Sequence, residues 1–127
     1  MTNVQCPKYD LLERTAIFGE KIIKFTRGIP ANIITRPLIS QLIRSATSIG
    51  ANYCEADNAL SKKDFIHKIS ICNKETKETR HWLRMLVVAV PEVYQEIGFY
   101  KREAQEFNAI FSSIIFSSKD NEKNAKK

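Results

Sequence analysis

An all-α fold, an up-down-up-down four-helix bundle, is what this sequence predicts, and three observations predict it. Apolar residues recur at helical spacing along most of its 127 residues. No five-residue stretch shows the strict alternation of a half-buried strand, and only four glycines and four prolines interrupt the pattern. The interruptions fall where short connections would join four long helices.

The first helical pattern runs from about Lys8 to Arg27. It places Leu11, Phe18, Ile22 and Phe25 on one face and Glu13, Glu20, Lys24 and Arg27 on another. "RGIPANIITRP" breaks it, and Thr35 is suited to cap the next helix, with Pro37 in its first turn where a missing N–H costs little. The second helix, about Arg36 to Leu60, turns Leu38, Leu42, Ile49, Tyr53 and Ala56 inward. Gly50 is costly there, by about 1 kcal/mol relative to alanine, and a close helix crossing would explain it. Ser61 opens the third helix with Asp64 three residues later, a pair resembling a capping box. Pro91 ends that helix. The fourth, about Glu92 to Ser117, carries Val93, Ile97, Tyr100, Ala104, Phe107, Phe111 and Ile114 on heptad spacing. A repeat of about 3.5 residues specifies left-handed packing at roughly 20°. The bundle domain is expected over residues 1–118, and the polar residues 119–127 are expected to form a disordered tail.

Composition narrows the function classes. The longest apolar run, Met85 to Val90, is far short of the roughly 20 residues a bilayer span needs, and "MTNVQCPKYD" has no signal-peptide core, so a cytoplasmic protein with no membrane role is expected. The cysteines Cys6, Cys54 and Cys72 are odd in number and lack CxxC spacing, which argues against a disulfide framework or zinc site. Cys54 and Cys72 read as small, partly buried side chains. Glu78 and His81, and Asp64 and His67, have the spacing of bundle di-iron motifs. Both pairs lie on one helix, 14 residues or roughly 21 Å apart, and cannot share a metal. No phosphate-cradling glycine loop and no nucleophile set is suggested by spacing, so neither catalysis nor a cofactor nor a metal is expected.

Helix three reads in two registers. Phe65, Ile69, Cys72, Thr76, Thr79, Leu83, Leu86 and Val90 form a packing seam in which the threonines call for close, small contacts. Lys63, His67, Ser70, Lys74, Lys77, His81 and Arg84 form a second row with no apolar member. Residues 65 and 67 are about 200° apart on a helix, so the basic row faces away from the seam. Residues 61–90 hold seven Lys or Arg against three acids, which is +4 of the chain's +6. A line of cations suits a phosphate backbone, which rewards several moderate contacts through counterion release. A lysine-rich helix face can equally be plain solvated surface. Lys63, Lys74, Lys77 and Arg84 are the candidate phosphate contacts, and His67 and His81 would add charge as they protonate, tightening binding as pH falls from about 7.5 to 6.

Asn52 and Glu55, beside the packing face of helix two, read as register-fixing polar residues bonded to neighbouring helices or subunits, with a ligand site as the alternative. Ile66, Trp82 and Met85, on the flank of helix three, are apolar residues left over once one seam is filled, and are the expected oligomer contacts.

"RSATSIGANYCEA", followed by "SKKDFIHKISICNKETKETRHWL", closely resembles the bacterial four-helix-bundle family that includes proteins encoded in intervening sequences of large-subunit ribosomal RNA genes. The resemblance spans about Tyr9 to Ser117. It carries Ser45, Ser48, Gly50, Ala51, Asn52, Glu55 and Ala56 in helix two, and Lys63, Asp64, Phe65, Lys68, Glu75, Glu78 and Leu83 in helix three. Ala46 stands where the pattern has glycine, and Cys54 where it has a longer polar residue. What the resemblance implies is a small intracellular bundle, commonly a ring-like homopentamer, without catalytic residues. The family is also similar to the accessory protein of diversity-generating retroelements, a basic pentamer that works with a reverse transcriptase and its nucleic acid. Two function classes follow: a non-catalytic nucleic-acid-binding module, with RNA the expected ligand and a reverse transcriptase a candidate partner, and a scaffold that docks an acidic protein.

Overall fold

The computed structural model describes residues 10–125, with side chains to Asp120. Four α-helices follow one another: α1 (Leu11–Arg27), α2 (Thr35–Asp57), α3 (Lys62–Ala89) and α4 (Tyr94–Ala125), with a 3₁₀ turn at Pro91–Val93 leading into the last. No strand occurs among the described residues. At 1.5 Å per residue, α3 and α4 are about 42 and 48 Å long, so they form the long hairpin of an up-down-up-down bundle.

Local chemistry sets the boundaries. Asp10 caps α1 by accepting from the Glu13 amide (3.3 Å), and Ser61 caps α3 by accepting from the Asp64 amide (3.0 Å). At α2 the cap is not the expected Thr35. Asn32 Oδ1 accepts from the Ile34 and Thr35 amides, both at 2.9 Å, while Thr35 Oγ1 donates to Pro30 O and accepts from the Asn32 amide. The loop folds back as an Asx turn and takes the threonine into the helix, where it is buried. α2 also ends before Leu60: Asn58 bonds back to the last turn, and Leu60 is wholly exposed. α3 closes with the Val90 amide on Leu86 O (2.8 Å), and Pro91 has no N–H to continue the ladder.

The expected disordered tail is replaced, up to Ala125, by a continuation of α4. No glycine or proline stands between Gly98 and that residue, and each added residue of an anchored helix gains one backbone bond. Residues 1–9, which include the expected start of α1 and Cys6, and residues 126–127 lie outside the described part.

The core follows the two packing registers of the sequence. Leu11, Phe18, Ile22 and Phe25 of α1 meet Leu42, Ile49 and Ala56 of α2, Ile69, Cys72, Leu83 and Leu86 of α3, and Ile97, Ala104, Phe107 and Phe111 of α4. α2 packs on α1 and on α3, and α3 on α4. Small residues allow two close crossings. A Cβ on Gly50 would stand 3.4 Å from Thr15 Oγ1 and 3.5 Å from Ala16 N, so anything beyond a methyl would push α1 away from α2. Between α2 and α3 the buried hydroxyls of Thr79 and Ser45 bond at 2.9 Å, and Thr76 bonds its own helix at Cys72 O. α1 and α4 are bridged instead by long rings, Phe18 on Phe107 (5.5 Å) and Phe25 on Tyr100 (5.1 Å). Of the two described cysteines only Cys72 is enclosed, where burial pushes its thiol up to about 12; Cys54, expected to be partly buried, is exposed in an open groove between α1 and α2.

Candidate nucleic-acid interface

α3 presents the basic row as the sequence reading expects. With Ile69, Cys72, Thr76, Thr79 and Leu83 turned into the bundle, Lys63, His67, Ser70, Lys74, Lys77, His81 and Arg84 are all exposed along one side. Among the described residues, ion pairs engage Arg14, Arg44 and Lys68 and none of the four Lys and Arg of that row. The acids of α3 turn elsewhere: Glu75 and Glu78 both bind Arg44 of α2.

Toward its C-terminal half the row opens into a cleft against α4. About 320 Å³ of open space is lined by Lys77, Arg80, His81, Arg84 and Lys101, with no acid and no apolar side chain among them. Arg80 and Lys101 are absent from the sequence-level site. Arg80 falls between the two registers, and Lys101 belongs to a helix whose net charge is negative, so only the pairing of α3 with α4 brings them together.

Arg80 is held from behind. Its Nη1 donates to Asn108 Oδ1 at 3.2 Å. Asn108 is 8% exposed, and its Nδ2 donates to Asn73 O (3.1 Å) and Oδ1 (2.7 Å), while Asn73 Nδ2 donates to Ser112 Oγ (3.2 Å). With the Asn108 amino group occupied by two acceptors, its carbonyl is the end left to face the guanidinium.

The other predicted positions fare differently. Asn52 donates to Ser48 O of its own helix (2.9 Å), a local bond and not one between helices. Glu55 does reach the next helix, at Lys68 Nζ (2.6 Å), but its side chain is 58% exposed. Glu55 thus bonds to the neighbouring helix as expected, through a pair exposed enough to contribute little to stability. Ile66, Trp82 and Met85 are half-buried, and Trp82 packs on the core with His81 against its edge. Its indole N–H is enclosed without an acceptor among the described residues. The more exposed apolar surface lies one turn further on. There Met85, Val88 and Ala89 line a groove of about 460 Å³ with Ile34 and Leu38, and Val88 and Ile34 are 76% and 62% exposed. No cluster of three or more His, Cys, Asp or Glu side chains that could hold a metal occurs among the described residues, and none of their helices is long and apolar enough to cross a membrane.

The fold has a solved counterpart. A protein of unknown function from the S23 ribosomal protein family of Bacteroides thetaiotaomicron is 30% identical in sequence and superposes with a TM-score of 0.71, over 82% of this chain and 96% of that one. Among curated proteins none is similar in sequence. The family described as 23S rRNA-intervening sequence protein matches residues 8–110, a span that contains the core residues of α1 to α3, those of α4 as far as Phe107, the basic row and the cleft. With that match over most of its length and the bundle architecture behind it, the chain belongs to the 23S rRNA-intervening sequence protein family.

Proposed function

We propose that this chain is a non-catalytic, cytoplasmic nucleic-acid-binding bundle that lays RNA phosphates along α3 and works as a homo-oligomer, a pentamer, in the service of a ribosomal RNA element or a reverse transcriptase. The observation that carries the reading is the contrast in pairing. The cations on the exposed row of α3 have no carboxylate partners among the described residues, while Arg14 and Arg44 are tied to two each; Arg27, Arg36 and Arg102 also lack a carboxylate partner there but belong to no such row. Unpaired cations on one helix face are free to exchange counterions for phosphates, and contacts of that kind position a backbone without reading bases.

Assembly is supported by the groove where Met85 meets Ile34, Leu38 and Val88, an apolar surface at the end of the same helix as the basic row. Repeating the row around a ring would multiply weak contacts through effective concentration. Titration of structured RNA at two salt concentrations tests the reading. Binding should depend little on sequence, and its log-log salt slope should be about 0.7 to 0.9 per phosphate neutralised. A flat salt response, or no RNA affinity beside tight binding of an acidic protein, would favour the scaffold instead. Light scattering that returned a monomer mass at micromolar concentration would remove the oligomer.

A further inference from the structure

The cleft between α3 and α4 differs from the row that leads into it. Along Lys63, Lys74 and the exposed side of α3, cations stand one after another on a single helix. In the cleft, Lys77, Arg80, His81 and Arg84 of α3 and Lys101 of α4 face one space from two sides. A linear array matches successive internal phosphates. Convergent cations match one compact, highly charged group.

The way Arg80 is held sharpens the difference. Among the described residues, three arginines brace helix seams. Arg14 is bound by Glu103 (3.0 and 3.1 Å) and Glu106 (2.6 Å), and Arg44 by Glu75 (3.3 Å) and Glu78, so each is neutralised where it sits. Arg80 is oriented by the neutral amide of Asn108, itself fixed by Asn73. That arrangement removes freedom from the guanidinium and leaves its charge uncompensated. A pre-oriented planar fork gives up less entropy on engaging an anion than a free one does.

We propose that this cleft is a site for a terminal phosphoryl group, the phosphomonoester or polyphosphate at the end of an RNA strand or on a free nucleotide. A phosphomonoester carries about −1.5 to −2 charge at pH 7 and three strong acceptor oxygens, against a single charge on an internal phosphodiester. Its approach also requires only one flanking nucleotide to be accommodated in a space of about 320 Å³. Arg80 supplies the oriented donors, Lys101 and Lys77 the charge from either helix, and Asn108 is a positioning residue behind Arg80. The inference rests on the reading of α3 as an RNA-binding face and assigns this part of it a ligand chemistry of its own.

The test uses two RNA 10-mers of one sequence, 5′-phosphorylated and 5′-hydroxyl, titrated against the full chain by fluorescence anisotropy, with ATP and pyrophosphate as competitors. The phosphorylated strand should bind roughly tenfold more tightly, the gain of one to two charge-assisted bonds. Arg80→Ala and, separately, Lys101→Ala should abolish that preference while 5′-hydroxyl RNA still binds. Lys101 makes no structural bond among those described, so its variant tests the site even if Arg80→Ala is destabilised. The double variant Lys63→Ala/Lys74→Ala should weaken both strands and keep their ratio. Competition by ATP or pyrophosphate against the phosphorylated strand alone assigns the cleft to the terminal group whichever molecule carries it. Equal, salt-sensitive binding of the two strands would overturn the cleft assignment and leave the RNA-binding face standing. If the nucleotides bound but neither RNA did, the RNA-binding reading would fall, and the cleft would stand as a site for free phosphates. No binding of any of the four would overturn both.

Discussion

Arg14 and Arg80 occupy comparable places, each bracing α4 from a neighbouring helix, yet their seams have opposite characters. On the α1–α4 side the guanidinium of Arg14 lies 5.0 Å over the Phe107 ring and is clamped by Glu103 and Glu106. The bond to Glu103 above all holds Arg14 protonated well above its ordinary value, against the opposing effect of burial. The groove beside it, about 430 Å³ along Ile17, Phe18, Phe99 and Tyr100, is mostly apolar, and its cations are balanced by Asp10, Glu13 and Glu103. On the α3–α4 side Arg80 is held by an amide, and the adjoining cleft is all basic. The first seam spends its arginine on holding helices together. The second keeps its arginine's charge available. The same side chain is neutralised or left charged according to whether its partner is a carboxylate or an amide.

Removing the apolar part of the first seam should have the largest effect on stability. Phe107 is fully buried, stacks on Phe111 and meets Phe18 edge to face, so Phe107→Ala should cost about 3–5 kcal/mol, read from urea unfolding. Converting the second seam into the first is the sharper experiment. Asn108→Asp would place a carboxylate on Arg80 and remove the donor to Asn73 O. A stability loss of about 1–3 kcal/mol is expected because Asn73 Oδ1 loses its donor and faces a carboxylate oxygen, together with weaker RNA binding as the cleft loses net charge. Retained affinity in that variant would mean that amide and carboxylate are interchangeable behind Arg80. The smallest effect belongs to Glu55→Ala, whose exposed bond to Lys68 should leave the melting temperature unchanged. A clear fall would restore a structural role to that pair.

The sequence made the core legible because heptad and helical periods act within one helix. Phe65 through Val90 and Ile97 through Phe111 can be phased without knowing what they touch; in the first series every position from Ile69 to Leu86 is buried, and in the second all but the half-buried Tyr100 are. The exposed basic row follows from the same phasing. The parts that were not legible depend on two segments meeting. Lys101 joins the site only through the register of α4 on α3, and Asn108 acquires its role only when Asn73 and Arg80 stand opposite it. Cys54 is exposed where its spacing implies partial burial, because spacing fixes an angle on α2 but not how closely α1 covers it. Asn32 displaced Thr35 as the cap because a loop's path, not its composition, decides which oxygen reaches the first free amides.

The central claim is that binding belongs to one face of the bundle and not to its net charge. Two charge reversals of equal size separate these possibilities: Lys74→Glu/Lys77→Glu on the row of α3, and Lys24→Glu/Arg27→Glu on the exposed side of α1. All four side chains point away from the core, so both variants should keep the wild-type melting temperature to within a few degrees. Structured RNA titrated at two salt concentrations should bind the α3 variant at least about tenfold more weakly, with the salt slope reduced by about 1.4 to 1.8 for two phosphates lost, and should bind the α1 variant to within about threefold of wild type. Equal losses in the two variants would contradict the account, because binding would then follow total charge and the row on α3 would be ordinary solvated surface.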